Sequence, residues 1–161
     1  EAPVYKVLGD LYYENQEMTQ SIAALAKAIE LDPTAAETMA SFALSSLTTE
    51  DFAKLLTVLE NHVETHPDNL NTLYSLGTMY FRENQLDKAK EHFLHLKEVA
   101  PDHTQVYYNL GMIYMREGNV EEGQAAMARF QELKLKENEE FTRSNLGVAK
   151  RQEAADFIAA G

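Results

Sequence analysis

The side chains best equipped for chemistry are five histidines and a large set of carboxylates. His62 and His66 stand four residues apart, and His92 and His95 three apart. On a helix either spacing puts both rings on one face. Two imidazoles so placed can hold a metal ion once a third ligand joins them, but no further ligand motif accompanies either pair. Cysteine is absent, which removes disulfides, thiolate metal sites and thiol nucleophiles. The 26 acidic residues offer carboxylate pairs at many spacings, and such an abundance reads as a solvated face rather than an acid–base dyad. The sequence contains no Gly-rich phosphate loop, no HExxH and no nucleophile elbow. These residues assign no enzyme activity, and no catalytic, cofactor-binding or metal-ligating residue.

Charge and hydropathy narrow the partners. The formal net charge is −12, which repels nucleic acid and anionic lipid. Arg143, Lys150 and Arg151 cluster near the C-terminus, but Glu139, Glu140 and Glu153 flank them, so no basic footprint for nucleic acid forms. Apolar residues make up 45% of the 161 residues, enough for a sizeable core. No apolar run reaches the ~18 residues of a membrane span, so direct membrane insertion is not expected. The chain begins at Glu1 without a signal-peptide pattern and reads as a mature or excised piece of a soluble protein. Its compartment stays open between the cytoplasm and, after removal of a signal peptide, a periplasmic or other extracytoplasmic space.

The elements that position these residues repeat. Pro33, Pro67 and Pro101 lie 34 residues apart, as do Gly77 and Gly111, with Gly9 two periods earlier. A fixed period of this length marks a stacked repeat architecture. Units of that length run over 2–35, 36–69, 70–103 and 104–137. In each, one apolar column has the i, i+3, i+7 spacing of an amphipathic helix. It reads Tyr5, Leu8, Tyr12, then Met39, Phe42, Ser46, then Leu73, Leu76, Tyr80, then Tyr107, Leu110, Tyr114. A second helix follows a polar turn (ENQE, TTED, ENQ, EGN) and carries Leu25, Leu59, Phe93 and Met127. Each second helix is expected to end near its Pro, and Thr34 to Glu37 reads as a capping box for the next helix. Glycine inside a helix costs propensity. Close approach of the paired helix explains it at Gly9, Gly77 and Gly111.

On these residues the chain resembles the tetratricopeptide repeat family. Unit 3, with Leu73, Leu76-Gly77, Tyr80, Ala89, Phe93 and Pro101, is close to the family pattern. Unit 4 keeps Tyr107, Leu110-Gly111 and Tyr114, with Gly123 and Leu135 in place of Ala and Pro. Unit 1 keeps Tyr5, Leu8-Gly9, Tyr12, Ala28 and Pro33. Unit 2 is degenerate, with Ala43, Ser46 and Leu55 as departures. The resemblance implies an all-α fold, a right-handed α-solenoid of antiparallel helix pairs with about nine helices. Phe141, Leu146, Ala149, Ala154, Phe157 and Ile158 suggest a separate capping helix over 138–160 that covers the apolar end of the stack. The N-terminal helix has no such cover.

The resemblance also implies that first helices line a concave face and second helices a convex wall, where both histidine pairs would sit. Counted by position, unit 1 turns Lys6 and Tyr13 inward, and unit 2 turns Leu44 and Leu47. Unit 3 contributes Asn71, Tyr74, Thr78, Phe81 and Arg82. Unit 4 contributes Tyr108, Met112, Met115 and Arg116. An apolar, aromatic and Met-containing trough with two cations suits a peptide segment. Some family members clamp a chaperone's C-terminal carboxylate with Lys, Asn and Arg. The matching places here hold Lys6, Asp10, Ser41, Asn71 and Ser75, or Ala40, Leu44, Ser75, Gln105 and Asn109, and only Lys6 fits. The expected function is therefore a non-catalytic scaffold that binds a peptide or protein segment of another kind. The alternatives are an accessory or recruitment domain of a larger enzyme, transport or assembly machine, and a structural protein that self-associates through its uncovered N-terminal helix.

Overall fold

The computed structural model describes residues 1–32 and 48–160, with side chains as far as 146. Seven helices lie among the described residues: α1 Ala2–Glu14, α2 Met18–Leu31, α3 Thr49–Thr65, α4 Leu70–Arg82, α5 Leu86–Val99, α6 Thr104–Glu117 and α7 Val120–Ala160. The pairs α1–α2, α4–α5 and α6–α7 pack most closely, and α2–α3, α3–α4 and α5–α6 join one pair to the next. The fold is an all-α solenoid of helix pairs. The first helix of unit 2, the expected capping box at Thr34 to Glu37, and Met39, Phe42, Ala43, Leu44, Ser46 and Leu47 fall outside the described residues.

Turn chemistry repeats with the 34-residue period. Gln16, Asn84 and Gly118 adopt left-handed φ values of 62°, 58° and 81°. The next residue in each turn, Glu17, Gln85 or Asn119, donates its N–H to the carbonyl five residues back, at Tyr12, Tyr80 or Tyr114 (2.8, 2.9 and 2.8 Å). This closure satisfies carbonyls that the helix end leaves open and reverses the chain within three residues. At the starts, the Thr48 side chain accepts from Asp51 N–H and the Asn69 side chain from Thr72 N–H, which are ordinary N-caps. Asp51 also accepts from Thr19 Oγ1 at 2.8 Å, tying α3 to α2.

The glycines do what their spacing predicts. A Cβ on Gly9 would lie 2.5 Å from Leu25, one on Gly77 2.6 Å from Phe93, and one on Gly111 3.0 Å from Met127. Each missing side chain admits a large one sixteen residues later. Leu73, Leu76, Met79, Phe93, Leu96, Leu110 and Ile113 form the fully buried centre of the core. A polar contact also recurs with the period: His95 Nε2 lies 2.9 Å from Asp68, and Arg129 lies 3.1 Å from Asp102.

One expected boundary is absent. Unit 4's second helix and the expected capping helix are a single element, α7, so seven helices rather than the expected nine lie among the described residues. Pro33, Pro67 and Pro101 stand where second helices stop; Leu135 stands at the same place in unit 4 and lets the helix continue. Residues 135–146 are all exposed, with Phe141 at 69% and Leu146 at 56%. This stretch therefore runs on past the stack, while the side chains of Ala149, Ala154, Phe157 and Ile158, expected to cover its end, lie outside those described.

Candidate protein-binding surface

Two of the expected contact residues meet across the unit boundary. Arg116, in the last turn of α6, places its guanidinium 4.3 Å from the Phe81 ring centroid, near the end of α4. A cation over an aromatic face is held by the ring's quadrupole. Arg116 is exposed and has no carboxylate partner among the described residues. Arg82 lies 5.7 Å over Phe52 of α3, repeating the same type of contact one unit earlier.

The other candidates divide by burial. Tyr108 is 43% exposed and rests on Phe130, with centroids 5.5 Å apart. Met115 is 40% exposed and leans onto α7, where a Cβ on Gly123 would meet it at 3.0 Å. Tyr74 is partly buried, wedged 6.1 Å from Phe93 and 5.4 Å from His103. Asn71, Phe81 and Met112 are partly buried, while Lys6 and Tyr13 stand exposed on α1. Thr78 departs from the expectation of an open contact residue: it is buried and its hydroxyl has no partner among the described residues. Its neighbours on the same helix face, Tyr74 and Phe81, flank it one turn to either side.

The two histidine pairs differ. His92 lies flat against Tyr80, with centroids 5.6 Å apart and planes 2° apart, and burial pushes its pKa down. His95 turns away to Asp68. Tyr80 donates its hydroxyl proton to Glu60, and burial followed by that contact pushes its pKa up. His62 and His66 do stay together, stacked 4.6 Å apart. Among the described residues no three His, Cys, Asp or Glu side chains converge. Sequence reasoning missed the recurring Asp68–His95 and Asp102–Arg129 contacts, although their spacing carries the same period as the prolines.

The family model described as Tetratricopeptide repeat matches residues 2–34, 70–103 and 104–137. The chain belongs to the tetratricopeptide repeat family. All of unit 2, read above as degenerate, lies between the matched stretches. No curated protein matches the chain. Among solved structures, a crystal structure of MamA has a TM-score of 0.68 at 20% identity and covers 86% of this chain and 81% of that one. A MamA fragment from Desulfovibrio magneticus RS-1, residue 41 to the end, gives 0.64 at 19% identity, over 84% and 77%. At such identities the likeness shows the tetratricopeptide repeat fold alone. A fold of this family makes the chain a protein-interaction scaffold in general terms.

Proposed function

We propose that the chain binds a protein or peptide segment against the first helices of units 3 and 4, with Phe81, Tyr108, Met112, Met115 and Arg116 as the contact set. The observation that carries this reading is the Arg116–Phe81 stack. It fixes a guanidinium at the surface with its donors uncommitted to any carboxylate among the described residues, beside half-exposed Tyr108 and Met115. Aromatic and Arg side chains held in this way are typical anchors of protein interfaces, and an uncommitted Arg selects an acidic group on the ligand. The test is affinity capture from the native cell, comparing the wild-type chain with Tyr108→Ala/Arg116→Ala and with Lys88→Ala. Loss of one captured chain in the first variant alone, with helical circular dichroism intact, supports the reading. Equal capture by all three overturns it.

A second reading rests on a different observation. Val4, Val7, Leu8 and Leu11 line one face of α1 and are 69, 58, 36 and 50% exposed. Their counterparts three units on include Val106, Leu110 and Ile113, which are buried. A second copy of the chain laid on that face would cover it, making self-association a further role of the scaffold. Light scattering over a concentration series tests this: a monomer at every concentration overturns it.

A further inference from the structure

At the junction of α2 and α3 lies a depression of about 380 Å³, bordered by Ile29, Glu30, Asn61, Thr65, His62 and His66. His62 is only 7% exposed, yet its Nε2 has no hydrogen-bond partner among the described residues. An unpaired buried polar atom is destabilising and calls for a reason. The surrounding hydrogen bonds identify what that atom is.

Thr72 Oγ1 donates to Asn69 Oδ1 at 3.0 Å, and that oxygen is fixed as an acceptor because it also takes the Thr72 backbone N–H. A hydroxyl has one proton. The 2.7 Å contact between Thr72 Oγ1 and His62 Nδ1 is therefore donated by the imidazole, and Nε2 is a bare lone pair. The next histidine repeats the arrangement. Thr65 Oγ1 donates to the His62 carbonyl at 3.1 Å, so the 2.9 Å contact with His66 Nδ1 is again donated by the ring. Two imidazoles, four residues apart and 11° from parallel, thus share one tautomer, each N–H held by a threonine and each Nε2 left open. A ring N–H fixed by a second group, with the other nitrogen free, is how metal-binding histidines are oriented.

We propose that His62 and His66 form a binding site for a transition-metal cation of the Zn²⁺, Cu²⁺ or Ni²⁺ class, ligated through both Nε2 atoms. Imidazole nitrogen suits these ions and not Mg²⁺. No third His, Cys, Asp or Glu converges there among the described residues, so water completes the coordination. Glu30 borders the depression but is held by Lys27 at 2.5 Å. His66 is exposed and lies just past the end of α3. Its ring can turn to admit the ion without disturbing the core, while His62 stays in place. The sequence showed only the spacing; the threonine contacts supply the tautomers.

The test is titration of the chain with Zn²⁺, followed by calorimetry and thermal unfolding, with Mg²⁺ as control. The expected result is one Zn²⁺ per chain and a Tm that rises with metal concentration, with no response to Mg²⁺. His66→Gln should leave the metal-free Tm unchanged and weaken Zn²⁺ binding by at least about tenfold, while His92→Gln should bind as the wild type does. Imidazole ¹⁵N spectra should show the Nδ1–H tautomer at both rings and a Zn²⁺-induced shift at both Nε2 atoms. Absence of a Zn²⁺ response, its survival in His66→Gln, its loss in His92→Gln, or an Nε2–H tautomer at both rings would each overturn the proposal.

Discussion

The two ends of the stack carry opposite surfaces. On α1 the outward residues are Val4, Val7, Leu8 and Leu11, well exposed. On α7 the outward residues are Gln124, Ala128 and Gln131, also exposed. Their register is fixed by α5, where the counterparts Lys90 and Lys97 reach the next unit: Lys90 lies 2.6 Å from Glu117, and Lys97 lies 5.9 Å over Tyr107. One end is therefore polar where a following unit would dock, and the other is apolar where a preceding one would. Terminal repeats stay soluble through a polar outer face. The α7 end meets that condition at these positions by its own side chains. The α1 end does not, and its apolar stripe is left for another surface to cover.

The sharpest way to break this comparison is to truncate the same column at both places. Ile113→Ala should destabilise by about 2–5 kcal/mol, because it opens a cavity in a closed core. Leu11→Ala, its counterpart on α1, should change stability by less than about 1 kcal/mol. Urea unfolding of dilute protein measures both, and equal losses would mean that the α1 face is already covered in solution. Next in size, Gly77→Val should lower Tm markedly, since even a Cβ would sit 2.6 Å from the Phe93 ring. Gly118→Ala, at a turn with open space but positive φ, should cost about 1 kcal/mol. Reversing the end chemistry comes third: Gln124→Leu/Gln131→Leu should create concentration-dependent association at the α7 end, and Val7→Glu/Leu11→Lys should remove any association at the α1 end. Size-exclusion chromatography with light scattering reads both.

The smallest effect is one of pH. Burial holds His92 and His103, both in the α4–α6 half, below their ordinary value of 6.5. The unfolded chain then binds protons that the folded chain refuses. Stability from these groups is complete above pH 6.5 and is lost as pH falls from there through the depressed folded values. The urea midpoint should decline across that window, and His92→Phe should flatten the slope.

Much of this architecture was legible in the residues. Gly9 with Leu25 and Gly77 with Phe93 were readable because close helix packing demands a missing side chain opposite a large one. The missing Pro at 135 was also visible, and it is the physical reason that α7 does not break. The contact surface was legible only in part. Position within the repeat selected Phe81 and Arg116, but their stacking depends on side-chain rotamers. Thr78 shared the expected inward position, yet it is buried, which position within the repeat does not reveal. The lone pairs of His62 and His66 were beyond reach, because a tautomer is decided by where a threonine proton goes.

The uninterrupted α7 has a mechanical consequence. At 1.5 Å per residue, the exposed stretch 135–146 is a rod of about 18 Å leading away from the last packed turn. Whatever is attached along it keeps a fixed distance and bearing from the stack, as on a boom rather than a tether. A proline at 135, like those at 33, 67 and 101, would turn that boom into a joint and release the direction while leaving the repeats intact.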